Sequence, residues 1–342
     1  MTTWNTTSTR KSLLALLVAV TALFVAALAL EVSAQAGSAE TGATGAYPWP
    51  VKPFTKQHPI RGYFGDPRTV FHGPQTTKTL MAGDGTFSFH QGVDISAPDG
   101  SPVYPVASGT VTSWHENRVT VDSGHTRAFQ YWHIVPTVRR GQHVVAGRTV
   151  LGHIQERREH VHLTHVENGR VVNPLAPGRL TPYRDRTAPQ VRLTAVRQVA
   201  RGSKRVHFLA EAVDSPALPV PGRWNGYPVT PARITWRIER SGRVVVPTRV
   251  ARDVRETVPA MDRFWATYAR GSHQNWPVFA NVKIQHLAGR YLFKLTATPF
   301  DPGTLRAGTY ELVVTARDTA GRRDSSRTML VVRGGGIDLA AH

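Results

Sequence analysis

The sequence predicts a mainly β protein: two antiparallel β domains in tandem, preceded by an apolar N-terminal helix. Three observations carry this. Short runs rich in Val, Thr and aromatic residues recur along the chain, punctuated by 29 Gly and 24 Pro, the pattern of strands and turns. From Ile60 to Val111 the apolar residues show no helical period. At 342 residues the chain has room for two ordinary hydrophobic cores.

At the N-terminus, Thr9-Arg10-Lys11 leads into an apolar run from Ser12 to Leu30, followed by Ser33-Ala34-Gln35-Ala36. A basic start, an apolar segment and a small-X-small site form an export signal over residues 1–36. The run approaches the roughly 20 residues that span a bilayer, so an uncleaved membrane anchor is the other reading. Both send the rest of the chain outside the cytoplasm. Residues 37–50 are small, polar and Pro-bearing and read as a flexible linker, with packing expected from Val51.

Forty-two Lys plus Arg against 23 Asp plus Glu give a formal charge of +19, which attracts polyanions. The cations are spread over the whole length without a nucleic-acid motif, and export removes nucleic acid as a partner. The anionic bacterial wall and lipid head groups remain. With no cysteine, disulfides and zinc-thiolate sites are excluded, and any metal must be held by His, Asp or Glu.

Ile60 to Asp66, Phe89 to Ile95 and Val103 to Val111 are short apolar runs set between Gly and Pro. Within the second, His90 and Asp94 share strand parity, yet in an extended strand they stand about 13 Å apart. To serve one ion the chain must curve between them, and Gly92 permits that bend. Phe129 to Ile134 is a strand carrying His133, and Gly141 to Gly152 is a hairpin. In Arg158 to Pro174 apolar residues alternate with histidines up to an Asn168-Gly169 turn signal. His160 and His162 lie about 6.6 Å apart on one face of this strand, and His165 points the other way. Parity excludes His165 from their site. His72, in a loop without a motif, and His153 are set aside with it.

The order His90-X-Gly-X-Asp94, Tyr131-X-His133, Gly141-Gln142-X-Val144-X-X-Gly147, His160-X-His162, Asn168-Gly169 and Val172-Asn173-Pro174 resembles the LytM/lysostaphin-type zinc metallopeptidases of family M23. The resemblance covers about Ile60 to Pro177, within a domain expected over 51–183. It implies a compact antiparallel β domain holding one Zn²⁺. His90, Asp94 and His162 match the metal ligands, and His133 and His160 the two catalytic histidines. Three N/O ligands leave a fourth position for water, as in catalytic zinc sites. The implied activity is hydrolysis of peptide cross-links in peptidoglycan, at the cell wall or outside the cell. The sequence departs from the family around the histidine pair. Gln155 to Glu159 stands where a small, Gly-containing segment is common, and Leu163-Thr164 where an aromatic residue and Glu are common. That departure motivates the alternative, a wall-binding or hydrolase-regulating protein that does not cut.

Residues 184–190 read as a linker, and 191–333 as a β-sandwich with a short tail over 334–342. Strand-like runs occupy Val191 to Ala195, Arg205 to Val213, Ile234 to Glu239, Phe264 to Tyr268, Tyr291 to Thr298 and Tyr310 to Arg317. The segment from Gly308 to Gly321, followed by Met329 to Val332, resembles the terminal hairpin of bacterial immunoglobulin-like modules. It carries no catalytic constellation, so a spacer or adhesion role is the expectation.

Overall fold

The computed structural model describes residues 45–70, 76–83, 85–276 and 286–339. The apolar run of the expected signal, residues 37–44 of the expected linker, and His72 lie outside the described residues. Among the described residues no helix is long and apolar enough to cross a membrane.

The chain begins with β1 (Ile60–Gly62), β2 (Pro67–Val70), a short helix α1 (Thr77–Ala82), β3 (Thr86–Phe89) and β4 (Val93–Ser96). Next come β5 (Pro102–Val103), β6 (Gly109–His115), β7 (Arg118–Asp122) and β8 (Arg127–Trp132). β9 (Ile134–Pro136), β10 (His143–Val144), β11 (Gly152–Ile154), β12 (His160–Glu167) and β13 (Arg170–Val172) follow. The main antiparallel sheet runs β1-β4-β12-β8-β7-β6-β10, with β13 paired to β12. Val93, Ile95, Val111, Val121, Phe129, Tyr131, Val161 and Leu163 form its fully buried core. Alternation along β12 therefore sends Val161 and Leu163 inward and His160 and His162 to the opposite face. Asn168 (φ 51°) and Gly169 (φ 70°) make the β12–β13 turn, both left-handed as a type I′ hairpin requires.

Packing starts earlier than Val51. Tyr47 and Trp49 are buried, and Trp49 Nε1 donates to Pro182 O at 2.9 Å. The end of the expected linker is thus part of the core, because Trp49 bonds to distant Pro182 and the Tyr47 ring packs edge-on against Phe129 and His165.

The second part comprises β14 (Gln190–Gln198), β15 (Val206–Val213), β16 (Arg233–Arg240) and β17 (Arg243–Asp253). β18 (Leu292–Lys294), β19 (Gly308–Arg317), β20 (Arg323–Arg333) and β21 (Gly336–Leu339) complete it. Two antiparallel sheets, β14-β15-β18 and β17-β16-β19-β20-β21, share a core built on Phe208, Trp236, Phe293, Leu312, Val314 and Leu330. Phe264 to Tyr268 is not a strand. Its first four residues form a short helix α2 (Phe264–Thr267), which places Phe264 and Tyr268, four apart, on one face against Phe89. The run expected over Tyr291 to Thr298 shortens to β18. β17 carries Pro247 and lies at a sheet edge, where a missing N–H is tolerated.

The two cores interlock. Leu80, Phe87 and Phe89 from the first part pack into the second core, while Val229, Ala232 and Val254 pack into the first. Arg252, 2% exposed, welds the parts: Nη1 and Nη2 both reach Gly65 O at 3.2 Å, Nη1 donates to Tyr268 Oη at 2.6 Å and Nε donates to Pro231 O at 3.1 Å.

His165 shares the core face of β12. It stacks on Phe129 with ring centroids 4.6 Å apart and meets Tyr47 edge-on. Burial holds its pKa down to about 3, so it is neutral in the fold and protonates near 6.5 when unfolded. As pH falls below 6.5 the unfolded chain takes up a proton that the fold refuses, and stability drops by up to about 1.4 kcal/mol per pH unit for this group. His165→Phe removes this contribution. In urea unfolding at pH 7 and pH 5 the variant should lose about 2 kcal/mol less than the wild type between the two pH values; equal losses would count against the assignment.

Candidate metal centre

The ligand set is assembled by a bend and a register. His90 leaves β3 and Asp94 lies in β4, with Gly92 between them. A Cβ on Gly92 would sit 2.4 Å from Leu163 O and 2.6 Å from His162 Nε2, so glycine alone lets β12 approach there. The expected curvature is present, since two different sheets meet at this point. On β12, His162 stands opposite Asp94 of β4 on one side and Trp132 of β8 on the other.

His90 Nε2, Asp94 Oδ1 and His162 Nδ1 converge: the separations are 3.1 Å (His90–Asp94), 2.8 Å (His90–His162) and 3.0 Å (His162–Asp94). The outer nitrogens set the tautomers. His90 Nδ1 lies 2.9 Å from Tyr63 O. A carbonyl only accepts, so Nδ1 carries the proton and Nε2 presents a lone pair. His162 Nε2 lies 2.9 Å from Thr164 Oγ1, and a proton there leaves Nδ1 bare as well. Two imidazole lone pairs and a carboxylate oxygen then face one point, an arrangement that repels itself unless a cation occupies it. The residues fit zinc, which takes N and O ligands at about 2.0–2.2 Å, and the outer hydrogen bonds are those that orient metal-bound histidines.

Burial opposes the charge of Asp94, yet the groups around it, Arg68 the charged one among them, hold the carboxyl well below its usual range. Arg68 Nη2 donates to Asp94 Oδ2 at 2.8 Å. Burial holds His90 down to about 4 and His133 to about 4, and His160 well below 6.5. All three rings are neutral at pH 7.

His133 is not in the middle of a strand. It sits between β8 and β9 with φ +65°, pinned by His133 N donating to Asn117 O at 2.8 Å and Gln155 N donating to His133 O at 2.9 Å. A left-handed non-glycine residue costs on the order of 1–3 kcal/mol and is typical of functional sites. The turn brings its ring centroid within 4.7 Å of that of His160. His160 Nδ1 lies 2.6 Å from both Arg158 O and Arg61 Nη2, and one ring nitrogen serves only one of them. Protonated, it donates to the carbonyl; bare, it accepts from the guanidinium. The structure therefore brings together all five histidine and aspartate positions singled out in the sequence. His165 lies across the sheet, and His153 is exposed on β11.

The remaining walls have no sequence signal. A cavity of about 320 Å³ is lined by Arg61, Arg68, His133 and His160 together with Trp224, Gln274 and Asn275 from the second part. The Arg61 guanidinium lies 4.2 Å from the Trp224 ring centroid, and Arg223 Nη2 pairs with Glu159 at 3.0 Å. Only tertiary contact joins these residues to the histidines.

Residues 88–174 match the family model for peptidase family M23. This region is an M23 peptidase domain. The comparison with curated proteins finds no match. Among solved structures the chain is similar to a zinc-containing peptidase from Vibrio cholerae, at 22% identity over 37% of this chain and 39% of that one (TM-score 0.28). It is similar to the catalytic domain of lysostaphin from Staphylococcus simulans, at 20% identity over 34% and 90% (TM-score 0.27). It is also similar to a mutant catalytic domain of the prophage-encoded M23 protein EnpA from Enterococcus faecalis, at 21% identity over 40% and 99% (TM-score 0.28). The match spans well under half of the Vibrio chain, and the M23 assignment rests on the family model and its motif residues.

Thr164→Val keeps the volume of the side chain against His162 and removes its oxygen. Zinc affinity, measured by competition with a chromophoric chelator, should fall by about 10–100-fold. An unchanged affinity would remove Thr164 from the centre.

Proposed function

We propose that the M23 domain is a zinc metalloendopeptidase that hydrolyses peptide cross-links of peptidoglycan, working outside the cytoplasm. The observation that carries it is the convergence of His90 Nε2, Asp94 Oδ1 and His162 Nδ1 within 3.1 Å, with two further neutral histidines beside them. His90, Asp94 and His162 would hold the ion. Zinc bound there would polarise the scissile carbonyl and make water nucleophilic at neutral pH.

The protein's own groups supply the proton traffic. With its Nδ1 proton on Arg158 O, His160 presents a bare Nε2, which lies 3.5 Å from Asp94 Oδ1 and so at the centre. Burial keeps this ring neutral, hence free to take the proton of the attacking water and return it to the leaving amine. His133, also neutral, has a buried Nδ1 without a hydrogen-bond partner among the described residues. Its ring is placed to donate to the oxygen that gains charge in the tetrahedral step. The wall is the substrate that suits an exported protein of formal charge +19.

The test is mass spectrometry of peptidoglycan fragments after incubation with zinc-loaded protein, scored for new amino termini. Cleavage is expected, with His160→Ala lowering the rate by about 10²–10⁴-fold at unchanged zinc content and His162→Ala losing zinc and activity together. Wall binding with no new amino termini at any zinc loading would overturn the proposal in favour of the non-cutting alternative.

A further inference from the structure

Asp185, Asp214 and Asp318 are 4%, 3% and 2% exposed, and each brings a carboxylate oxygen within 4.8 Å of the others. They arrive from three separate segments: the connection leading into β14, the residue after β15 and the residue after β19. Their hydrogen bonds leave the group undersupplied with donors. Asp185 Oδ1 accepts from Thr187 N at 3.0 Å and Thr187 Oγ1 at 2.8 Å, and Oδ2 from Tyr183 Oη at 3.3 Å. Asp214 Oδ1 accepts from Ser215 N at 2.8 Å. Asp318 Oδ1 accepts from Arg322 N at 2.8 Å, whereas its Oδ2 is buried with no hydrogen-bond partner among the described residues.

No ion pair balances these carboxylates among the described residues. The neighbouring guanidinium of Arg322 spends its Nε on the backbone oxygen of Asp185 at 2.7 Å. An ionised carboxylate buried without partners is strongly disfavoured, and three together add mutual repulsion. The cost shows in the acidities: burial and then the charge of Asp185 push Asp214 up to about 8, and burial pushes Asp318 up to about 6. One cation placed between the three would satisfy the orphaned Asp318 oxygen and cancel the repulsion at once.

We propose that Asp185, Asp214 and Asp318 form a second metal site, specific for a hard divalent cation of the calcium class. The donors are all oxygen, with no imidazole or thiolate, which suits Ca²⁺ over zinc. Three irregularly placed carboxylates, completed by backbone oxygens and water, suit the flexible coordination of calcium better than the strict octahedron of magnesium. The bound ion fastens the connection between the two parts to the ends of β15 and β19. Its neighbourhood also touches the first centre. Tyr183 Oη, which donates to Asp185, lies 3.4 Å from Tyr63 Oη, and Tyr63 O is the acceptor that orients His90.

The test uses the full chain carrying His162→Ala, so that the first centre is disabled and the outcome is independent of the peptidase reading. Metal-free protein is titrated with CaCl₂ by calorimetry and by thermal unfolding. One Ca²⁺ per chain is expected, with a rise in Tm of about 5 °C or more once calcium exceeds its Kd by about 100-fold. Asp214→Asn and Asp318→Asn in the same background should lose the rise. Each removes a like charge, so their metal-free Tm should equal or exceed that of the parent, which separates loss of binding from loss of folding. Absence of calcium binding in the parent, or a calcium response undiminished in both Asn variants, would overturn the proposal.

Discussion

The register of β12 between β4 and β8 is the constraint on which the rest of the centre depends. In that register His162 faces Asp94 and Trp132, while Val161 and Leu163, one residue to either side, are fully buried. A slip by one residue would exchange the two sets, carrying imidazoles into the core and aliphatic side chains into the cavity. Burying a Val or Leu contributes about 1.5–3 kcal/mol each, and a buried polar group left unpaired costs about 1–3 kcal/mol. Both effects oppose the slip. The geometry of the ligand set is therefore enforced by the packing of residues that never touch the metal position.

Desolvation gives that geometry its chemistry. The imidazoles of His90, His133 and His160 stay neutral because burial disfavours their charged forms. The carboxyl of Asp94 is held well below its usual range against its own burial, with the charged Arg68 donating to it at 2.8 Å. One pocket thus offers lone pairs and a negative charge to a cation while keeping a base free. Part of the desolvation comes from outside the M23 domain, where Trp224 lies against Arg61 and closes a side of the cavity.

The second part of the chain is thereby more than an appended module. Its Arg252 and Tyr268 converge on Gly65 O, Thr230 donates to the buried Asp66, and each core borrows side chains from across the connection. Tyr63 lies at the middle of this arrangement, with its carbonyl on His90 and its hydroxyl accepting from Ala217 N at 2.9 Å. The two parts are joined by buried polar contacts as well as by the connection between them.

Strand periodicity and turn chemistry are local, and what depended on them could be read before any coordinates. The His160/His162 pair, the opposite face of His165, the bend at Gly92 and the turn at Asn168-Gly169 all follow from alternation and from which residues tolerate a left-handed backbone. The pattern misled where a local rule had two solutions. Phe264 and Tyr268 suit one face of a helix as well as a strand, and contact with Phe89 selected the helix. Pro247 hid an edge strand. The burial of Tyr47 and Trp49, the contact of Arg61 with Trp224, the grip of Arg252 on Gly65 and the meeting of Asp185, Asp214 and Asp318 had no signal at all. By itself the sequence determined the β architecture, because that follows from spacing along strands and turns, while the metal-ligand candidates came from the likeness of its ordered motifs to the M23 family. Only the tertiary structure decided what surrounds them, because those contacts join residues far apart in the chain and depend on the fit of two interlocked cores.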